Sequence, residues 1–201
     1  MKLLLTLSRL IDEANRRISR IACWLVLISC LVSAGNALVR YGINHSSNAW
    51  LEIQWYMFAA MFMLGASYTL AKNEHVRGDI FYARLSTRGQ IWVDLLGGLL
   101  FLLPAAVILT WLSWPVFYNV WVSGEMSSSA GGLIRWPVMM LIPLGFGLLL
   151  LQAFSELTKR FAYLKGLIPE PFSVEGTKSD EEILAEELAA LAEKKNQTGA
   201  P

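Results

Sequence analysis

Glu52 is the residue whose type and position most strongly indicate chemistry, because it is the one charge in the apolar stretch from Ala49 to Ala71. Burying an ionisable side chain in a membrane span is costly, so such a residue is a functional-site hypothesis by default. Glu52 would relay protons or contact a partner helix. Its place near the start of the stretch, where the helix dipole favours a carboxylate, leaves a purely interfacial placement open as well.

The other chemistry-bearing residues form no catalytic or metal-binding set. His45 and His75 both fall in loops, whereas a haem-binding four-helix bundle needs histidines inside the bundle. Cys23 and Cys30 share one apolar segment, about 10 Å apart along a helix, which is too far for a disulfide. The sequence has no phosphate-binding loop, zinc motif or nucleophile–base set, so an enzyme is disfavoured.

A few further polar residues lie in or near the apolar stretches. Asp94 is close to the start of its stretch, and interfacial placement explains it more simply than chemistry does. The uncharged ones are expected to hydrogen-bond across helices or to reach the membrane surface, and they are Asn36, Gln54, Asn119 and Gln152.

The elements that position these residues are membrane helices, as the composition indicates. Of 201 residues, 55% are hydrophobic and 16% are charged, whereas a soluble domain carries about 25% charged residues. The charges crowd into the N-terminal arm, a middle loop and the tail. The net charge of +1 carries no information about partners, and no nucleic-acid partner is expected.

Four apolar segments predict an all-α integral membrane protein with four transmembrane helices in a domain of residues 21–165. The predicted spans are about 21–41, 49–71, 90–114 and 134–156. At Pro115 the third helix is expected to kink or to project beyond the bilayer. Small residues around Gly65, Gly97 and Gly145 are expected to let helices approach closely.

Residues 1–20 predict an amphipathic N-terminal helix, because leucine and isoleucine recur at spacings of three and four with charges largely between them. Two arrangements fit this pattern. The helix lies in the membrane interface before the chain turns into the bilayer, or it extends the first span straight into the cytoplasm and packs on a partner.

Residues 166–201 predict a linker and an acidic cytoplasmic tail. Pro169 and Pro171 mark the linker, and the run from Ser179 to Glu182 is typical of a helix-capping box. The helix that follows is too short to be stable alone, so it docks on another surface or stays mobile.

Lysine and arginine place both termini and the middle loop on the cytoplasmic side. These residues concentrate in the N-terminal arm, in the loop 72–89 and after the fourth span, whereas the other two loops have only Arg40 and Arg135. The positive-inside rule then fixes the orientation. Most tryptophans gather toward the predicted outer boundary, while Trp24 and Trp92 mark the inner one.

The middle loop packs four ionisable residues into the seven positions from Asn73 to Asp79. By charge alone it is a turn that fixes topology and forms local salt bridges. The sharper alternative is a binding surface for a larger partner on the cytoplasmic side, with His75, Arg77 and Asp79 as candidate contacts.

These residues together resemble the small membrane subunit (DctQ-type) of tripartite ATP-independent periplasmic (TRAP) transporters. In that family the loop motif commonly reads His-Val-Arg, a small or aliphatic residue, then Asp, which Gly78 fits loosely. The similarity covers roughly residues 15–165, and the segments that carry it are Glu52–Tyr56, Leu64–Tyr68, Glu74–Asp79, Arg135–Pro137 and Ile142–Phe146.

The resemblance implies a non-catalytic subunit with no cofactor of its own. In such transporters a large multi-span subunit holds the substrate and sodium sites, a periplasmic protein captures the substrate, and the small subunit braces the large one. The implied protein is part of a sodium-coupled importer of small organic acids in the bacterial inner membrane. No buried charge network is expected in this chain. The partner-interface candidates are Glu52, Gln54, Trp55, His75, Arg77, Asp79, Arg135 and Trp136.

A second function class stays open, which is a self-contained, homo-oligomeric, proton-coupled exporter or channel with Glu52 as its proton site. Such a protein is expected to place its carboxylate deeper in the span. It would also move protons or substrate as a purified chain, whereas an accessory subunit co-purifies with a much larger hydrophobic protein.

Overall fold

The computed structural model of the protein describes residues 2–43, 47–73 and 85–168. These residues are helical apart from short connections and one isolated antiparallel bridge between Met126 and Ile134, so the predicted all-α class is confirmed. The elements are α1 (Lys2–Ile43), α2 (Asn48–Ala71), α3 (Thr87–Gly97), a π-helical turn (Gly98–Leu102), α4 (Leu103–Ser123) and α5 (Trp136–Leu164).

α1 is one unbroken helix of 42 residues. At 1.5 Å per residue it is about 63 Å long, which is twice the thickness of a bilayer core. The chain therefore makes no turn between the predicted N-terminal helix and the predicted first span. The N-terminal half packs on α5 of the same chain.

The polarity of this N-terminal half is inverted relative to that of a soluble helix. Ser8 and Asn15 are buried, with 3% and 1% of their surfaces exposed, whereas Leu3 and Leu10 are 79% and 63% exposed. The apolar stripe read from the sequence thus faces outward, and the polar stripe forms the contact with α5.

The third predicted span is part of a longer helical run that begins at Thr87 and ends at Ser123. The π-helical turn joins α3 to α4 just before Pro104, whose ring would clash with the carbonyl four residues earlier in a regular α-helix. Pro115 lies inside α4, and the helix continues beyond it until Gly124, in the left-handed region at φ 63°, ends it.

Three helical runs of the described residues are long and apolar enough to cross a membrane, namely Leu3–Ile43, Arg88–Ser123 and Trp136–Leu164. α2, the second predicted span, has 24 residues and is not among them. Its hydropathy is lowered by Glu52 and Gln54 near its start and by the polar side chains of its last turns. Three helices that could cross a membrane are thus found, and the count of four spans, which includes α2, stays a prediction.

α5 is the central helix, because it contacts α1, α2, α4 and the α3 segment with its π-helical turn. At its crossing with α2, a Cβ on Gly145 would lie 2.8 Å from Met63 Cβ and 2.9 Å from Met63 O, so only glycine allows this approach. A Cβ on Gly98 would similarly lie 3.0 Å from Leu157 Cδ2. At the other glycines of the predicted close-packing clusters a Cβ would meet no described neighbour within 4 Å, and they are Gly65, Gly97 and Gly147.

Candidate functional site

Glu52 lies at the start of the second turn of α2 and is buried, with 8% of its surface exposed. Its Oε2 accepts the backbone N–H of Leu133 at 2.7 Å, and its Oε1 accepts the hydroxyl of Ser127. Gly132 passes so close that a Cβ there would lie 2.8 Å from Oε1. Both carboxylate oxygens therefore hold the connection between α4 and α5 against the start of α2.

Two more side chains on the same face of α2 support this connection. Asn48 and Tyr56 stand four residues before and after Glu52, so the three share one face of the helix. Asn48 Nδ2 donates to Ala130 O at 3.1 Å, and the Tyr56 hydroxyl donates to Ile134 O at 3.1 Å. Asn48, Glu52 and Tyr56 form the outer cluster.

The connection that the outer cluster holds is a short hairpin, residues 124–135, called the outer hairpin. The backbone N–H of Ser127 donates to Leu133 O at 2.9 Å, and that of Arg135 donates to Glu125 O at 3.0 Å. The side chains of Arg135 and Glu125 also form an ion pair, at 40% and 43% exposure. The hairpin is therefore fixed both by its own backbone and by α2.

The remaining predicted interface residues lie in different surroundings. Trp55 is 74% exposed, and Trp136 is half-buried at the first position of α5. Gln54 is half-buried, and its Nε2 has no hydrogen-bond partner among the described residues. The other predicted contacts lie outside the described residues, and they are His75, Arg77 and Asp79.

A second polar cluster joins α1 to α5 near the other end of the molecule. Asn15 Nδ2 donates to Gln152 Oε1 at 2.6 Å, and Gln152 Nε2 donates to Asp12 Oδ1 at 2.8 Å. Asp12 Oδ1 also accepts the hydroxyl of Ser155 at 2.8 Å. A fourth contact links the hydroxyls of Ser155 and Ser8. Three side chains of α1 and two of α5 thus hydrogen-bond across the contact between these helices.

Arg160 extends this cluster to α3 and α2. Its guanidinium donates to Glu156 Oε2 at 2.8 Å and to Asn73 Oδ1 at 3.4 Å, and its Nε lies 3.5 Å from Asp94 Oδ2. Arg160 and Glu156 are each only 5% exposed. Lys159 Nζ lies 3.1 Å from Asp12 Oδ2 and completes the set. These residues and those bonding α1 to α5 form the inner cluster.

The inner cluster corrects two expectations from the sequence. The chain has a buried charge network where none was predicted, and Asp94 is the ion-pair partner of Arg160 instead of an isolated interfacial residue. The signal that would have indicated the cluster is the spacing of its polar residues. Ser8, Asp12 and Asn15 on α1, like Gln152 and Glu156 on α5, recur at helical spacing and line one face.

The chemistry of both clusters is that of internal cross-links. Each buried carboxylate accepts hydrogen bonds or faces a cation, which is the condition under which a protein interior holds charge. Among the described residues no group of three or more His, Cys, Asp or Glu side chains is arranged to hold a metal ion. The bonds of the two clusters join helices to one another and to the outer hairpin.

Apolar helices of membrane length, with exposed side chains such as Leu38 at 75% and Trp111 at 79%, define a membrane protein. The family model "Tripartite ATP-independent periplasmic transporters, DctQ component" matches residues 29–162, about two thirds of the chain. The chain belongs to this family, so it is a small membrane subunit of a TRAP transporter. The family is one of transporter components and not of enzymes. A search of the curated proteins found no match.

Proposed function

We propose that the chain braces the large transport subunit of a sodium-coupled importer of small organic acids in a bacterial inner membrane. The substrate and sodium sites belong to the large subunit, a periplasmic protein delivers the substrate, and this chain needs no cofactor. The observation that supports the proposal is that polar and apolar side chains of this chain face in opposite directions. Buried polar groups bond within the chain at both ends, and apolar groups face outward.

The inward polar groups support a bracing role because they oppose sliding of one helix along another. Glu52 fixes the outer hairpin to α2, and Arg160 fixes α5 to α3 and to the end of α2. Removing one partner of such a buried pair is strongly destabilising. A bundle held at both ends in this way supplies a stationary surface against which a moving subunit works.

The outward apolar groups supply the surface that a large hydrophobic subunit would cover. Phe62 of α2 is 69% exposed, and Leu31 of α1 is 63% exposed. Trp55 adds an exposed aromatic side chain near the outer cluster, and aromatic residues are enriched at interface centres. At the cytoplasmic side, His75, Arg77 and Asp79 remain the proposed contacts on the basis of their sequence motif.

The four-span topology with cytoplasmic termini is part of the proposal. α2 runs from the outer hairpin, which Glu52 contacts, to Asn73, which accepts a hydrogen bond from Arg160 near the end of α5. α2 therefore extends between the same two levels as α5, which is long and apolar enough to cross a membrane. This shared extent supports a transmembrane α2 despite its lower hydropathy.

The exporter hypothesis requires Glu52 to bind and release protons. A proton site must release its proton to a water path, whereas both oxygens of this carboxylate anchor the outer hairpin. No contact of the described residues favours the exporter over the accessory subunit.

Reconstitution into proteoliposomes tests the proposed function. The chain alone should move neither protons nor organic acids across the bilayer, and uptake should require the large subunit, the binding protein and a sodium gradient. Co-purification from native membranes should recover a much larger hydrophobic protein in stoichiometric amount. Proton flux through the chain alone, abolished by Glu52→Gln, would replace the accessory role with the exporter.

A further inference from the structure

A cavity of about 670 Å³ lies where the first turn of α3 meets the end of α5. Arg88 lines it from α3, while Tyr163, Lys165, Leu167 and Ile168 line it from the end of α5 and the residues after it. Its volume is within the range of about 300–1,000 Å³ that is typical of small-ligand sites. Neither of the polar clusters described above contributes to its walls.

The far wall of the cavity is shaped by a well-defined helix end. Gly166, at φ 69°, turns the chain back, and its N–H donates to Tyr163 O at 2.8 Å. The N–H of Leu167 donates to Ala162 O at 3.0 Å, which completes a Schellman motif. Two carbonyls of the last turn of α5 are therefore satisfied. This reduces the negative potential that a bare helix C-terminus would present beside the cavity.

The charge of the cavity favours an anion. Its two charged lining residues, Arg88 and Lys165, are both basic and exposed, and neither forms an ion pair with another described residue. The nearby N-terminus of α3 adds the positive end of a helix dipole. The rest of the lining is Gly166, the phenol of Tyr163 and aliphatic side chains.

An apolar track leads away from Arg88 along α3. Trp92 and Leu96 follow at spacings of four residues, so they lie on the same helix face, and they are 51% and 49% exposed. Leu96 lies about 12 Å from Arg88 along the axis. From the lipid headgroups to the hydrocarbon core, membrane helices typically present a basic side chain, then a tryptophan, then aliphatic side chains.

We propose that this cavity binds an anionic phospholipid, with the phosphodiester between Arg88 and Lys165 and an acyl chain along Trp92 and Leu96. Basic pockets between membrane helices on the cytoplasmic side bind anionic headgroups for the same electrostatic reason. The inference depends on the location of the chain in a membrane and not on its transport partner, so it goes beyond the proposed function.

Lipid titration of the full-length, delipidated chain in detergent, followed by native mass spectrometry, tests this site. Phosphatidylglycerol should bind, and phosphatidylcholine, which has no net charge, should bind much more weakly. Arg88→Gln with Lys165→Gln should weaken phosphatidylglycerol binding about 30-fold, from the usual contribution of two basic side chains near anionic lipid. Arg88→Lys with Lys165→Arg should retain binding.

The matched control removes two basic charges from elsewhere on the surface. Arg9 and Arg20 are exposed on α1 and do not line the cavity, so Arg9→Gln with Arg20→Gln should bind as the unmodified chain does. Equal losses in the two double variants would overturn the site in favour of diffuse charge attraction. Full competition by inorganic phosphate at the lipid concentration would overturn the lipid assignment, because it would show that the acyl chain contributes nothing.

Discussion

Two carboxylates stabilise the outer hairpin in different surroundings, Glu52 from α2 and Glu125 from within the hairpin. Glu52 is 8% exposed and accepts from Leu133 and Ser127, whereas Glu125 pairs with Arg135 at the surface. Replacing Glu52 by alanine leaves a backbone N–H and a hydroxyl without their acceptor. Since hydrogen bonds to charged groups contribute about 1.5–3 kcal/mol each, we expect Glu52→Ala to lower the free energy of unfolding by about 2 kcal/mol or more.

Unfolding in mixed detergent micelles measures this difference, and hydrogen exchange at the Leu133 amide localises it to the hairpin. Glu125→Ala is the control, because an exposed ion pair contributes about 0–1 kcal/mol. If both variants lost the same stability, with unchanged exchange at Leu133, the anchoring role of Glu52 would be wrong.

Arg160 shows why sequence reasoning at the residue scale found Glu52 but missed the inner cluster. A single charge inside an apolar stretch stands out in a sequence, whereas Lys159 and Arg160 follow the apolar part of α5 and count only toward topology. Their partners are distant along the chain, since Lys159 and Asp12 are separated by 147 positions. Helical periodicity indicates which residues share a face, but not which other helix that face contacts.

At the scale of helices, the sequence predicted where apolar segments occur better than where helices begin and end. Hydropathy indicates which residues lie in the bilayer, whereas a helix continues until residues such as glycine or proline end it. Between Leu3 and Ala34 the chain has no glycine or proline, so nothing separates the charged arm from the first span. α1 accordingly runs through both as one element.

The α2–α5 crossing gives a prediction at this scale with a control on the same helix. Gly145→Ala would place a Cβ 2.8 Å from Met63 Cβ and 2.9 Å from its carbonyl oxygen, which forces the two helices apart. Overpacking of this kind costs about 1–3 kcal/mol. Gly147→Ala meets no described neighbour within 4 Å and gains up to about 1 kcal/mol of helix propensity.

Thermal unfolding in detergent, followed by circular dichroism, should therefore show a lower midpoint for Gly145→Ala and an unchanged or higher midpoint for Gly147→Ala. A lower midpoint for both variants would mean that glycine acts through local helix geometry and not through the crossing with α2.

At the scale of the whole molecule, the two polar clusters lie toward the two ends of α2 and α5. The outer cluster joins α2 to the hairpin that connects α4 and α5, and the inner cluster joins α5 to α1, α3 and the end of α2. If α5 crosses the bilayer, the two clusters lie toward opposite faces of it. The positive-inside rule then predicts a periplasmic outer cluster, because the two segments flanking it carry only Arg40 and Arg135.

Cysteine labelling in spheroplasts tests this orientation together with the transmembrane path of α2. Cys23 and Cys30 are free and exposed, so both are first replaced by serine. Single cysteines are then introduced by Ser128→Cys in the outer hairpin, Lys72→Cys at the end of α2 and Arg17→Cys on α1. A membrane-impermeant maleimide should label the hairpin position in intact spheroplasts, and the other two only after lysis, because a charged reagent does not cross the hydrocarbon core.

Leu109→Cys, on an exposed apolar face of α4, is the control and should resist the reagent in both conditions if that face contacts lipid. The decisive position is Lys72, at the end of α2. Glu52 bonds the start of α2 to the outer hairpin, and Asn73, just after its end, bonds to Arg160. If the lysine position reacted from outside as readily as the hairpin position, α2 would have both ends on the outer side. The four-span topology would then be wrong, because neither α2 nor the run from Thr87 to Ser123 would connect the two sides of the membrane.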